Sequence, residues 1–143
     1  MSSNFYDSFI EDHATGRVNL ATDQLRLLLA TAVYRPDAQS HRRRSDIKGE
    51  VVGDGYTPGG KPLTGQKLER AGPGLYVFLA ATVVWPESVI RARWAVLYKA
   101  RGPAAEDELI AYFDFGADQS SVGGPFAATW DNGVVFELAA LGG

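Results

Sequence analysis

The chain has 143 residues, of which 45% are apolar and 22% are charged, with 16 glycines, seven prolines and no cysteine. These values are typical of a single globular domain, so we expect one β-rich domain over residues 1–143. The absence of cysteine excludes disulfides, thiolate nucleophiles and Cys-ligated zinc, and a net charge of −3 does not by itself indicate a nucleic-acid or membrane partner.

The N-terminal residues 4–15 predict a short amphipathic helix, because apolar residues recur with a helical period. Ser2, Ser3 or Asn4 would cap its start, and Gly16 would end it in a left-handed conformation. The residues expected on its apolar face are Phe5, Tyr6, Phe9 and Ile10. The following run from residue 24 to 34 fits a strand or a short helix. We predict a strand, because alternate leucines are separated by Arg26 and a proline soon follows.

Residues 35–74 are rich in Gly, Pro and Arg and predict a long irregular region with a helical turn near residues 40–47. Loops of this length are usually functional or packed on a partner. We therefore expect this region to contribute little to the core and to form an assembly surface.

The C-terminal half is dominated by strand patterns. The continuous apolar run Leu75–Trp85 predicts a strand buried on both faces, and it is too short to span a membrane as a helix. Further strands are predicted at Val89–Lys99, Leu109–Phe113, Phe126–Trp130 and Val134–Leu138, the last two joined as a hairpin by Asp131-Asn132-Gly133. The pattern predicts a mainly β fold, either a β-sandwich or a small open barrel, with one short N-terminal helix and a long Gly/Pro-rich loop region.

A single core is expected to unite five aromatic residues that lie on the apolar phase of their strands. They are Trp94, Tyr98, Phe113, Trp130 and Phe136.

Two short motifs resemble catalytic signatures but are incomplete. Residues 55–61 have the spacing of a phosphate-binding loop, yet Pro62 stands where the magnesium-binding Ser or Thr must be. Asp114-Phe115-Gly116 spells the kinase metal triplet without the other kinase motifs. His13 and His41 have no second ligand at a useful spacing. We therefore predict no catalytic, cofactor-binding or metal-binding residue and a protein that is not an enzyme.

The basic run Arg42-Arg43-Arg44 is the most unusual feature of the chain. Its surroundings, residues 35–48, hold five Lys or Arg residues against two Asp. Three explanations remain open: a solvated or intramolecular role, a protein partner, or nucleic acid. Residues 36–55 contain no aromatic side chain for base stacking, which argues against single-stranded nucleic acid. One carboxylate partner to consider is the Glu106–Glu108 run of a neighbouring copy.

Several sequence blocks, taken in order, resemble a family of structural proteins from the virions of tailed bacteriophages. The blocks are residues 4–15, 22–29, 45–60, 90–99, 109–116 and 129–131. The resemblance implies a virion subunit, made in the bacterial host cytoplasm, that contacts capsid, portal, neck or tail proteins and copies of itself. It implies neither nucleic-acid nor membrane binding. The candidate partner contacts are Arg42, Arg43, Arg44 and Tyr56. The alternative is a module that binds carbohydrate or protein on the host surface.

Overall fold

Two antiparallel β-sheets face each other across a core of apolar side chains. The structure is a computed structural model that describes residues 1–140. Sheet A has the strand order β1-β7-β6-β2-β3 and sheet B the order β4-β5-β8. The elements are β1 (Ser2–Phe5), α1 (Asp7–Ala14), β2 (Leu25–Ala30), β3 (Lys61–Pro62), β4 (Lys67–Gly72), β5 (Leu75–Leu79), β6 (Val83–Lys99), β7 (Glu108–Ala128) and β8 (Val134–Ala139). The predicted mainly β fold of the sandwich type is confirmed.

The antiparallel pair β6–β7 forms the centre of sheet A, with strands of 17 and 21 residues. The predicted strands Leu109–Phe113 and Phe126–Trp130 are therefore wrong as separate elements, since both lie at the ends of β7 or just beyond it. A large bulge lies between these ends, where residues 115–118 of β7 stand opposite Arg93 alone. The Asp114 carboxylate accepts the N–H of Gly116 at 2.7 Å, so the kinase-like triplet shapes this bulge.

Sheet A buries apolar side chains on both of its faces. The main core lies between the sheets, and a second cluster lies on the opposite face of sheet A. The second cluster consists of Tyr6, Leu28, Ala30, Tyr34, Val96, Tyr98 and Leu109. A register shift between Ala92 and Trp94 in β6 changes which alternate residues face the main core.

The predicted single aromatic core is wrong for this reason. Phe113, Trp130 and Phe136 belong to the main core, whereas Tyr98 belongs to the second cluster and Trp94 packs half-buried against it.

The irregular region after β2 contributes to both clusters, contrary to expectation. Within residues 35–74, Ile47 packs against the second cluster, while Val51, Tyr56 and Leu63 belong to the main core. A 3-10 turn occurs at Arg44–Asp46, as predicted near that position. The irregular region is also shorter than predicted, because residues 61–62 and 67–72 form strands β3 and β4.

The N-terminal prediction is partly wrong. Residues 2–5 form strand β1 on the edge of sheet A, and the helix begins only at Asp7, without a side-chain cap. Ile10 is exposed, whereas Tyr6 and Phe9 are buried. Gly16 has a φ of +78°, which confirms the predicted left-handed stop.

Two further strand predictions need correction. The run Leu75–Trp85 is not one strand, because β5 ends at Leu79 and β6 begins at Val83 in the other sheet. Asn132 and Gly133 do have positive φ angles of 55° and 75°. However, they form a 3-10 turn rather than a hairpin, since β8 pairs with β5 and not with β7. The strand prediction for β2 is confirmed over residues 25–30.

Candidate functional site

The Arg44 side chain is bound by the loop that joins β6 to β7. Its Nε donates to the Asp107 carboxylate at 2.7 Å, and its guanidinium lies over the Tyr98 ring at 5.4 Å from the centroid. Asp107 is buried and also accepts the backbone N–H groups of Arg101 and Gly102 at 2.6 and 3.0 Å. The carboxylate that Arg44 meets is therefore in its own chain, and the pair fixes the loop at residues 100–107.

Glu108 is completely buried beneath two arginines at the start of β7. Arg101 donates to both of its carboxylate oxygens, with Nη2 to Oε2 at 3.0 Å, and Arg17 Nε lies 3.3 Å from Oε2. Burial opposes ionisation of Glu108, but the hydrogen bonds from Arg101 and Arg17 outweigh it and hold its pKa below the usual value. Glu108 is thus a buried carboxylate, ionised at neutral pH.

Asp12 is a third buried acid in the same region. Its Oδ1 lies 3.7 Å from Arg17 Nε, and among the described residues its Oδ2 has no hydrogen-bond partner. Burial raises the pKa of Asp12 even though the nearby Arg43 charge acts in the opposite direction. Part of the positive charge seen in the sequence therefore compensates acids that the fold has buried.

Arg42 and Arg43 are arranged differently from Arg44. The Asp46 carboxylate accepts their backbone N–H groups at 2.8 and 3.0 Å, which fixes the loop, and Arg42 is exposed while Arg43 is half-buried. Arg42 meets Glu11 at 3.4 Å, and both side chains are more than half exposed. Within residues 1–140, Arg43 has no carboxylate within 4 Å and donates only to the carbonyl oxygen of Arg42, at 3.2 Å.

Tyr56, the fourth candidate partner contact, has its side chain inside the fold. Its hydroxyl donates to Glu50 Oε2 at 2.6 Å and accepts the Leu29 N–H at 3.1 Å. The same Glu50 oxygen accepts the Gly59 N–H at 2.7 Å. Burial, followed by the neighbouring Glu50 carboxylate, raises the pKa of Tyr56 well above its usual range. In this structure Tyr56 ties the loop around residues 50–59 to β2.

Two adjoining cavities share Arg101 as a wall, and we call them together the arginine cleft. The first, of about 380 Å³, is lined by Arg17, Arg43, Arg101, Ala105 and Glu106. The second, of about 400 Å³, is lined by Gln24, Arg26, Arg44, Pro58, Gly59, Tyr98, Ala100, Arg101, Gly102 and Asp107. Three of these arginines, at positions 17, 26 and 101, were missed from the sequence because they are isolated there and come from three separate segments.

Within residues 1–140, the guanidinium of Arg26 donates hydrogen bonds to two backbone carbonyl oxygens. Nη2 donates to Gly60 at 2.7 Å and Nε to Gly59 at 3.4 Å. In the described part of the chain, no carboxylate lies within 4 Å of it. Arg26 and Arg43 thus present positive charge to the cleft, whereas the acids that compensate Arg17, Arg44 and Arg101 are buried.

No protein-family model, curated protein or solved structure matches this chain. Residues 1–140 contain no group of three or more His, Asp or Glu side chains arranged to hold a metal ion. The described residues also include no helix of the length and apolar character that crossing a membrane requires. The chain therefore belongs to the mainly β fold class, with two antiparallel sheets.

Proposed function

We propose that this chain is a non-enzymatic structural subunit of a tailed-phage virion. It would be made in the host cytoplasm and would enter the particle through contacts with itself and with head, neck or tail proteins. The observation that carries the proposal is the arginine cleft, where Arg26 and Arg43 line a concave surface and form no ion pair within residues 1–140. A carboxylate from a protein partner satisfies such groups with defined geometry.

The resemblance of the sequence blocks to virion structural proteins supports the same function. The sheet edges also suit a subunit that must assemble without aggregating. The fully exposed part of edge strand β4 carries Lys67, Glu69 and Arg70, and charged side chains on an edge prevent unspecific strand pairing. Specific contacts between subunits would then be formed by loops and clefts rather than by this sheet edge.

The experiment compares incorporation of a variant of the basic run with incorporation of the wild type. A double variant, Arg42→Ser with Arg43→Ser, removes the cleft residue Arg43 and its exposed neighbour Arg42 and leaves the internal Arg44–Asp107 pair intact. It should still fold, with a small loss of stability because the Arg43 charge near Asp12 is removed, and enter phage particles at reduced occupancy. Arg70→Ser, an exposed arginine on β4, is the matched control and should be incorporated normally. Normal occupancy of the double variant would refute the role of the cleft in assembly.

A second candidate, binding of a host-surface molecule, is favoured by one other cavity. This cavity of about 350 Å³ lies beside the bulge of β7. It combines Phe115 and Phe126 with the polar residues Gln119, Ser120 and Thr129. Apolar walls with a few polar groups are typical of small-ligand sites. Retention of the purified protein on host cells, lost in Phe115→Ala, would support this function, and no retention would exclude it.

A further inference from the structure

One side of the sandwich is open between the edge strands β1 and β8. β1 pairs only with β7 in sheet A and β8 only with β5 in sheet B, and in the described part of the chain no backbone hydrogen bond joins the two edges. A groove of about 510 Å³ lies between them. Its walls include Met1 and Phe5 on one side and Val134, Val135 and Phe136 on the other. Strand edges and apolar side chains therefore meet in one groove.

The backbone of β8 directs hydrogen-bonding groups away from its own sheet. The Ala140 N–H donates to the Gly74 carbonyl oxygen at 2.7 Å, in the register that pairs β8 with β5 from residue 136 onwards. Because hydrogen bonding alternates along an antiparallel pair, residues 136, 138 and 140 bond to β5. Glu137 and Ala139 therefore direct their N–H and C=O groups to the free edge. A peptide strand binds to an edge of this kind through main-chain hydrogen bonds.

β8 is also poorly protected against an added strand. Natural sheet edges are usually protected by short length or by charged side chains. β3 has only two residues, and β4 carries Lys67, Glu69 and Arg70. β8 has six residues, no proline and a single charged residue, Glu137. A register shift at Val135 ends the regular pairing, so the edge accepts a short segment rather than a long sheet.

The charges at the groove are negative. Asp131 and Glu137 line it and are exposed, and no Lys, Arg or His side chain lines it. Within residues 1–140, neither acid forms an ion pair. Glu137 lies on the outer face of sheet B, because its neighbours Phe136 and Leu138 face the main core. A strand beside β8 is therefore complementary if it has a cation opposite Glu137 and apolar residues on either side.

We propose that β8 binds an extended, basic peptide segment of another protein by β-strand addition. In an antiparallel pairing, a lysine or arginine opposite Glu137 lies on the same face of sheet B and pairs with it. The apolar neighbours of this residue point into the groove towards Met1 and Phe5. The segment becomes the fourth strand of sheet B and closes the open side of the sandwich. The inference goes beyond the proposed function and does not depend on it, because the groove shares no lining residue with the arginine cleft.

An NMR titration of the isotope-labelled chain with a synthetic peptide tests the proposal. The probe is the heptapeptide Lys-Val-Lys-Val-Lys-Val-Lys. We expect a dissociation constant below about 1 mM and the largest shifts at residues 1–5 and 131–139. At saturation, hydrogen exchange of the Glu137 and Ala139 amides should slow by about tenfold or more, because they gain partners. The Leu138 amide, already bonded to β5, should change little.

Three control peptides separate alternation, charge and backbone bonding. Val-Val-Val-Lys-Lys-Lys-Lys has the same charge without alternation and should bind at least about tenfold more weakly. Glu-Val-Glu-Val-Glu-Val-Glu should not bind, because it places like charges beside the acids. N-methylation of the lysine amides should abolish binding of the probe, since these amides face β8 in the antiparallel pairing. N-methylation of the valine amides should leave binding unchanged.

Two substitutions in β8 test the same contact from the protein side. Ala139→Pro removes an outward N–H without removing a bond to β5, so it should abolish binding. Its control, Ala139→Val, keeps the N–H and should bind as the wild type does. Glu137→Lys should weaken binding of the probe about tenfold, because attraction across the strands becomes repulsion. Its control, Glu69→Lys on β4, should not change binding.

The proposal is overturned if the probe does not bind at about 1 mM, or if it binds as tightly to Ala139→Pro as to the wild type. Equal binding of the two methylated peptides would also overturn it, and this comparison decides the matter if Ala139→Pro does not fold. Sedimentation of the free chain tests another occupant. A dimer that Ala139→Pro dissociates would overturn the proposal, because a second copy would then occupy the edge.

Discussion

Glu108→Gln is the substitution that most directly tests how the arginine cluster stabilises the fold. The change keeps the size of the side chain and removes its charge, so Arg101 and Arg17 lose the carboxylate that they share. Removing one partner of a fully buried ion pair costs about 3–5 kcal/mol. Here the arginine side chains are 37% and 55% exposed and regain water, so we expect a smaller loss of about 2–4 kcal/mol.

Urea denaturation at pH 7 measures this loss as a shift of the midpoint by about 1–2 M. The folded state lowers the pKa of Glu108, so its contribution is complete above the unfolded pKa of about 4.3. It is lost as the pH falls from there through the lower folded value, and the difference between variant and wild type should shrink. The control is Glu106→Gln, which changes an exposed glutamate two residues before Glu108. The reasoning would be refuted if Glu108→Gln left the urea midpoint unchanged at pH 7, or if its midpoint were lowered as much at pH 3 as at pH 7.

The remaining predictions concern the backbone, the two cores and Asp12. Gly60→Ala should cost more than about 3 kcal/mol, because its φ is +77° and a Cβ would lie 1.9 Å from the Leu27 carbonyl oxygen. Gly123→Ala shares the positive φ of +83° without any contact and should cost only about 1–2 kcal/mol; equal losses in denaturation would contradict the structure. Phe113→Ala should lower the free energy of unfolding by about 3–5 kcal/mol, because Phe113 is buried in the main core. Trp94→Ala should lower it by about half as much, because Trp94 is only half-buried against the second cluster. A larger loss for Trp94→Ala in denaturation would contradict the two-core arrangement. Asp12→Asn should raise the melting temperature at pH 7, because burial raises the pKa of Asp12 and its charged form therefore destabilises the fold. The gain should vanish below about pH 4, where Asp12 is protonated in the unfolded chain as well. A lower melting temperature of the variant at pH 7 would show instead that the Asp12 charge stabilises the fold.

Local sequence patterns predicted the strand content well but not the connection of strands into sheets. The run 25–30 predicts a strand because alternate leucines are separated by Arg26 and a proline soon follows, and the structure confirms it. The register shift near Arg93 leaves no simple mark on the sequence, yet it decides which aromatic residues share a core. Likewise, Asn132 and Gly133 indicated a turn correctly, but their conformation does not determine that β8 pairs with β5.

The arginine cluster shows a similar division between local and distant information. The run at residues 42–44 is visible in the sequence, and its helical turn was predicted. What distinguishes Arg44 from Arg42 and Arg43 is its ion pair with Asp107, which lies 63 residues away in the chain. Only the folded chain reveals that buried acids compensate part of the positive charge, and that Arg26 joins the cleft from β2.

Quantitative mass spectrometry of purified phage particles tests the central proposal, a role as a virion subunit, most directly. We expect the chain in particles at a fixed copy number relative to the portal protein, unchanged by a high-salt wash that removes loosely bound proteins. A fixed ratio is the property of a subunit repeated around a symmetry axis. Absence of the chain from particles, or an amount that varies between preparations and falls with the wash, would contradict the proposal.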